Sequence, residues 1–166
     1  MPSGETWRLR PPRHRVERRA VSWWTAQAAL VALPTPLVFA VLWLVIPPAR
    51  FVFGWLTLGT VLPAVAYLAV MPRWRYRVHR WETTRDAVYT ASGWLWQRWR
   101  VVPMSRVQTV ESVRGPLEQL FGLSGVQVTT ASASGAVRIR GLDRRTAADV
   151  VALLTGAAQA TEGDAT

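Results

Sequence analysis

The sequence predicts an α+β protein: a two-helix transmembrane hairpin, then an antiparallel β-barrel or sandwich of about six or seven strands, closed by a C-terminal helix. Three observations predict it. Two long runs, Val21–Ile46 and Phe51–Met71, hold no charged residue and are separated only by Pro47, Pro48, Ala49 and Arg50. Each reaches the roughly 20 residues that a helix needs to cross a hydrocarbon core about 30 Å thick. From Pro72 onwards the apolar runs shorten to strand length between turn signals, and a single amphipathic helical stripe follows them.

The predicted organisation is a basic arm over 1–20, the hairpin over 21–71, a globular domain over 72–156 and a disordered tail over 157–166. Of the 166 residues, 20 are basic against 10 acidic, a formal charge of +10, and every basic residue is arginine. Cysteine is absent, which removes a disulfide framework, a thiolate nucleophile and a cysteine-ligated metal.

Arginine placement predicts the orientation of the hairpin. Arg8, Arg10, Arg13, Arg15, Arg18 and Arg19 precede the first run, Arg73, Arg75, Arg77 and Arg80 follow the second, and only Arg50 lies in the turn. The positive-inside rule then places both termini in the cytoplasm of a multi-pass protein of the cytoplasmic membrane. Trp23, Trp24 and Trp74 are placed to sit in the cytoplasmic headgroup layer, where an indole N–H stays wet. Arg18 and Arg19 ahead of an apolar run also resemble a secretory or twin-arginine signal. The run is longer than an ordinary signal core, no small-residue cleavage site ends it, and a second run follows at once. Pro34, Pro36 and Pro63 lie inside the runs and predict kinks; no acid, His or Lys lies there to carry protons or ions, which argues against transport.

In the domain, Tyr76–Glu82, Ala87–Ala91 and Leu95–Val102 read as a meander of strands, separated by Thr84 to Asp86 and by Ser92-Gly93. Val107–Val113 is a further strand whose inward face the alternation leaves open. Gly115-Pro116 opens a short helical segment with Leu117, Leu120 and Phe121 at helical spacing, and Gly122 ends it. Val126–Ala131 and Ala136–Arg140 form a hairpin across Ser132 to Gly135. Asp143 caps the last helix, in which Ala147, Val150, Val151 and Leu154 form one stripe, and Gly156 is the predicted stop.

Three stretches carry a resemblance. They are Pro103-Met104-Ser105-Arg106-Val107-Gln108-Thr109-Val110, Gly115-Pro116-Leu117-Glu118-Gln119-Leu120-Phe121-Gly122-Leu123, and Val126 to Ala131. In order and spacing they resemble the bacterial pleckstrin-homology-like (PH-like) family of the YdbS type. The resemblance covers Val21 to Leu154 and departs at Gln119, where the family commonly carries Arg. It implies a PH-like fold behind a short transmembrane hairpin, with structural roles for Pro103, Gln108, Gly115, Pro116, Leu117, Leu120, Phe121, Gly122 and Leu123. It carries over no catalytic residue.

The candidate binding residues come from alternation. In an extended segment Arg73, Arg75 and Arg77 share one face, which makes an anionic-lipid surface or, more simply, a set of topology-fixing charges. In a strand over Leu95–Val102, Trp94, Trp96, Arg98 and Arg100 share another face. An exposed Trp94 and Trp96 would suit membrane insertion or a protein hot spot, and a buried set would fill the core. A pI near 11.6 also suggests nucleic acid, but the charge flanks the apolar runs and no nucleic-acid motif is present, so none is expected as a partner. His14 and His79 have no evident carboxylate or nucleophile partner, and the carboxylates lack metal-ligand spacing. No enzyme activity, cofactor or metal is therefore expected. The expected function is a noncatalytic, membrane-anchored module that docks a protein partner with related domains, or self-assembles. An anionic-lipid sensor built on Arg73, Arg75, Arg77, Arg98 and Arg100 is the alternative, and an accessory subunit of a transporter or membrane enzyme is the next.

Overall fold

The computed structural model describes residues 12–84, 86–130 and 135–163. Positions 1–11 of the predicted arm, Arg85 in a predicted turn, Ala131 at the end of a predicted strand, 132–134 of the turn after it, and 164–166 of the predicted tail lie outside them. The order is β1 (His14–Arg15), α1 (Arg19–Ala32), α2 (Pro34–Val45), a 3-10 turn (Pro47–Ala49), α3 (Arg50–Val78), β2 (Arg80–Thr83) and β3 (Ala87–Ser92). Then come β4 (Arg98–Pro103), a 3-10 turn (Met104–Arg106), β5 (Val107–Val113), α4 (Pro116–Leu120), β6 (Leu123–Thr130), β7 (Val137–Asp143) and α5 (Arg144–Gly163).

The apolar runs do not form two matched spans. Among the described residues the segment Pro47–Val78 alone is long and apolar enough to cross a membrane, whereas α1 and α2 reach that standard only as a pair bent by 43°. The bend sits at Pro34, whose ring blocks the hydrogen bond and the close approach that a continuous helix requires. Pro63, by contrast, lies within α3 without ending it. The strand predicted from Tyr76 is also corrected, because α3 continues through Pro72 to Val78. Arg73 Nη1 donates to the Ala69 carbonyl at 2.6 Å, one residue past the Leu68 carbonyl that the missing Pro72 N–H leaves free.

Among the described residues seven strands form, within the predicted number, but as two antiparallel sheets and not a closed barrel. One sheet has the order β1-β2-β3-β4 and the other β5-β6-β7. At the seam between β4 and β7 the Arg100 guanidinium donates to the Ala136 carbonyl at 3.1 Å. The sidedness of β5 is set by a bulge: Val107 pairs with Thr130 and Thr109 with Thr129, so Gln108 is the extra residue. Val107 and Val110, three apart, consequently both pack on the core.

The core lies between the sheets. Trp81, Val88 and Val102 face Leu123, Val126, Val128, Val137 and Ile139, and Ala147, Val150 and Leu154 of α5 pack against them. Asp143 caps α5 as predicted, accepting the Arg145 backbone N–H at 3.1 Å. That bond, aided by the Arg19 guanidinium 2.6 Å away, holds its carboxyl below the usual carboxylate range. The helix does not stop at Gly156 but runs to Gly163. The alanines that follow favour helix, and Ala157 packs on the core.

The start of α1 belongs to the same core. Val16, Ala20, Trp23 and Trp24 are buried in it, and Trp24 is wholly inaccessible. This corrects the headgroup-layer expectation for Trp23 and Trp24, whose indole N–H groups are buried without a hydrogen-bond partner. The docking point is Gly141, at a second bulge where β7 carries an extra residue opposite β6. Its φ is +76°, and a Cβ there would lie 2.9 Å from Ala20 Cβ. Glu17 N–H donates to the Gly141 carbonyl at 2.8 Å. Gly141→Ala is expected to cost about 1–2 kcal/mol for the left-handed backbone and a further ~1–3 kcal/mol for overpacking against α1. Gly135→Ala has a similar φ, +72°, with nothing within 4 Å, and should show only the backbone cost. Thermal unfolding of the two full-length variants in detergent checks the difference; equal shifts would show that the α1 contact does not matter.

Candidate functional site

One helix, three strands and a loop converge on a cleft of about 430 Å³. α3 supplies Arg75 and His79; β3, β4 and the loop between them supply Thr90, Trp94, Trp96, Arg98 and Arg100; β7 supplies Arg138 and Arg140. The register explains the β4 contribution. Val88 pairs with Val102, Thr90 with Arg100 and Ser92 with Arg98, so one sheet face passes from apolar core to basic cleft along its length. On β7, Val137 and Ile139 point into the core while Arg138 and Arg140 alternate away from it.

Helical geometry separates the arginines that an extended reading groups together. At 3.6 residues per turn Arg75 falls on the face of Met71 and His79, both buried, whereas Arg73 and Arg77 are exposed on the other side. Arg75 stacks on Trp24 with its guanidinium carbon 4.9 Å from the ring centre. Arg75, Arg98, Arg100, Trp94 and Trp96 are thus brought together, and Arg73 and Arg77 are not. Trp94 and Trp96 lie in the loop ahead of β4 and not on the predicted strand. Trp94 packs edge-on against Tyr67 of α3 with centroids 5.7 Å apart, and Trp96 is 82% exposed.

Arg138, Arg140 and His79 were not singled out as binding residues from the sequence. Arg138-Ile139-Arg140 shows the same two-residue alternation that drew notice to Arg73, Arg75 and Arg77, so the signal was there. Among the described residues no carboxylate lies within ion-pair distance of the five cleft arginines. Arg138 instead donates to the Gln127 side-chain oxygen. Such an unneutralised set, at the mouth of a β-domain, can hold an anion with several oxygen acceptors.

His79 is buried at the inner end of the cleft. Its Nδ1–H donates to the Arg75 carbonyl at 2.9 Å, and its ring lies tilted against Trp24 with centroids 4.8 Å apart. Burial, then the nearby Arg75 charge, and after them Arg140, push its pKa down to about 4, with the Arg75 carbonyl bond opposing. The imidazole is therefore neutral at pH 7. The unfolded chain takes up this proton near pH 6.5 and the fold only near pH 4, so stability falls as pH drops through that window. The expected loss is about 3 kcal/mol. Unfolding midpoints from pH 7.5 to 4 should fall more steeply for the native protein than for His79→Gln.

The residues of the quoted motifs build the frame. Gly115 caps α4 with Pro116 in its first turn, and Glu118 accepts the Gly115 N–H at 2.7 Å. Leu117 and Phe121 pack on the core, Leu123 is fully buried, Leu120 is exposed, and Gly122 turns with φ +65°. Pro103 ends β4. Gly115, Pro116 and Leu117 also line a second cleft of about 450 Å³ with Trp23 and Gln27 of α1. Among the described residues no group of three or more His, Cys, Asp or Glu could hold a metal ion.

Fold and cleft together define a two-sheet, helix-capped β-domain mounted on apolar helices and carrying a basic cleft where they meet. The chain belongs to the bacterial PH domain family, whose pattern matches residues 28–158. It is similar to the transmembrane protein YdbS of Bacillus subtilis (strain 168), 32% identical over 77 residues, which is 45% of this chain. The match spans 48% of that protein's length. No solved structure matches.

Proposed function

We propose that the protein is a membrane-anchored, noncatalytic PH-like module that holds the phosphate-bearing headgroup of an anionic lipid at the inner face of the cytoplasmic membrane. The observation carrying this reading is the cleft in which Arg75, Arg98, Arg100, Arg138 and Arg140 converge with no carboxylate of the described residues at ion-pair distance. In this reading α3 is one span and the bent α1–α2 pair the other, and the arginine-rich flanks keep both termini cytoplasmic. The name of the Bacillus relative agrees with membrane anchoring. Guanidinium groups suit a phosphodiester because they donate in pairs to its oxygens.

The test uses the full-length protein in mild detergent, titrated with phosphatidylglycerol or with zwitterionic phosphatidylcholine of the same acyl chains, with native mass spectrometry counting bound lipid. Preferential retention of the anionic lipid, weakened by salt, is the expected result. Equal retention of both lipids overturns the reading.

A second reading is a protein-docking module, either self-assembling or engaging a partner with related domains. Trp99 and Val101, two residues apart on the outer face of edge strand β4, are both exposed and support it. Crosslinking of the full-length protein in native membranes tests it: a recovered partner or homodimer linked through β4 is expected, and a monomer overturns it.

A further inference from the structure

We infer that the β3–β4 loop is a membrane-insertion element, with Leu95 and Trp96 entering the interfacial layer of the leaflet that α3 leaves; this rests on the membrane-anchored reading above.

The loop turns back tightly on itself. Gly93 has φ +119°, and a Cβ there would meet the Trp96 carbonyl oxygen at 1.8 Å, so only glycine fits at this turn. The fold projects apolar side chains into the open: Leu95 is 69% exposed and Trp96 more so. Adjacent large apolar residues at the tip of a tight loop gain little from water and much from a lipid interface.

Depth is fixed by α3. Roughly 20 residues counted from Phe51 place the edge of the hydrocarbon near Val70. Tyr67 then lies about 4.5 Å inside that edge at 1.5 Å per residue. Trp94 packs on Tyr67, so the loop stands at the boundary itself. Val70 and Trp74 of α3 are exposed close by in sequence, extending the same apolar and aromatic surface. Arg98 follows the tip, and no acidic residue occurs between Ala87 and Val110 to repel an anionic leaflet. An aromatic belt backed by arginine matches a bilayer interface and continues the lipid-facing surface of the helix.

The absence of cysteine makes the test direct. Trp96→Cys, carrying an environment-sensitive fluorophore, is placed in the full-length protein in nanodiscs of phosphatidylcholine and phosphatidylglycerol. Leu58→Cys in the middle of α3 reports the span, and Glu111→Cys on exposed β5 reports water. A blue-shifted Trp96 label, quenched by shallow nitroxide lipids and shielded from aqueous iodide, is the expected result. A Trp96 label open to iodide, with the Leu58 label still lipid-quenched, rejects the loop inference alone. Both labels open to iodide reject the anchoring as well. Leu95→Cys repeats the measurement should the Trp96 variant fold poorly.

Discussion

A chain cut to begin at Pro72 will not hold the native fold, although every predicted strand and the capping helix are retained. The cut removes Val16, Ala20, Trp23 and Trp24, all buried in the core between the sheets. A buried Trp takes about 150–250 Å² out of water. At about 25 cal/mol per Å² that is roughly 4–6 kcal/mol for each indole, as an upper estimate. A domain of this size is stable by only about 5–15 kcal/mol in total, so losing two such side chains removes most of it. The fragment should lack near-ultraviolet circular dichroism and amide dispersion. Joining residues 12–28 to residues 72–163 through a flexible linker should restore both. Native dispersion in the shorter fragment would show that α1 is only a passenger. For this reason lipid binding is to be measured on the full chain and not on an excised domain.

Neutralising the cleft will weaken anionic-lipid binding far more than neutralising the same number of charges elsewhere on the membrane-proximal surface. Arg98→Gln with Arg140→Gln removes two charges from the cleft, and neither side chain has a described hydrogen bond or ion pair to lose. Each basic group near an anionic surface contributes about 1 kcal/mol, so the pair should cost about 2 kcal/mol, close to 30-fold in affinity. Arg73→Gln with Arg77→Gln changes the net charge identically on the opposite side of α3 and should cost several-fold less. Raising the salt should shrink the difference between native and cleft variants, since exposed charges are screened beyond about 8 Å. Equal losses from both pairs would mean that the arginines act as a diffuse surface charge and the cleft binds nothing in particular.

The parts of the fold that the sequence made legible are those decided by neighbours in the chain. Gly115-Pro116 and Gly122 punctuate α4, Asp143 caps α5, and Pro34 bends its helix, because each acts within one or two turns. The misread parts depend on distant partners or on compensation. Pro72 looks like a helix boundary, yet α3 carries on to Val78, and at its end Arg75 and His79 meet Trp24 from the far end of the chain. Ending α3 too early turned Arg73, Arg75 and Arg77 into one face when a helix divides them. Trp23 and Trp24 beside an apolar run read as headgroup-layer residues, because such a run does not itself tell lipid from protein core. Only Gly141, far along the chain, decides between them. Three of the five cleft arginines, Arg75, Arg98 and Arg100, and both loop tryptophans were legible one by one, though not as a single cleft, and the alternation at Arg138 and Arg140 was open to the same reasoning.

The docking of α1 on β7 also sets a timetable. Arg19 and its partner Asp143 are 124 residues apart, so the helix is synthesised long before the strand that receives it. At about 5–20 residues per second the ribosome needs roughly 6–25 s to cover that interval. Until β7 has been made, Val16, Ala20, Trp23 and Trp24 have no second sheet to pack on, so this part of the core can close only late. The first residues of the core to be synthesised are therefore among the last to be buried.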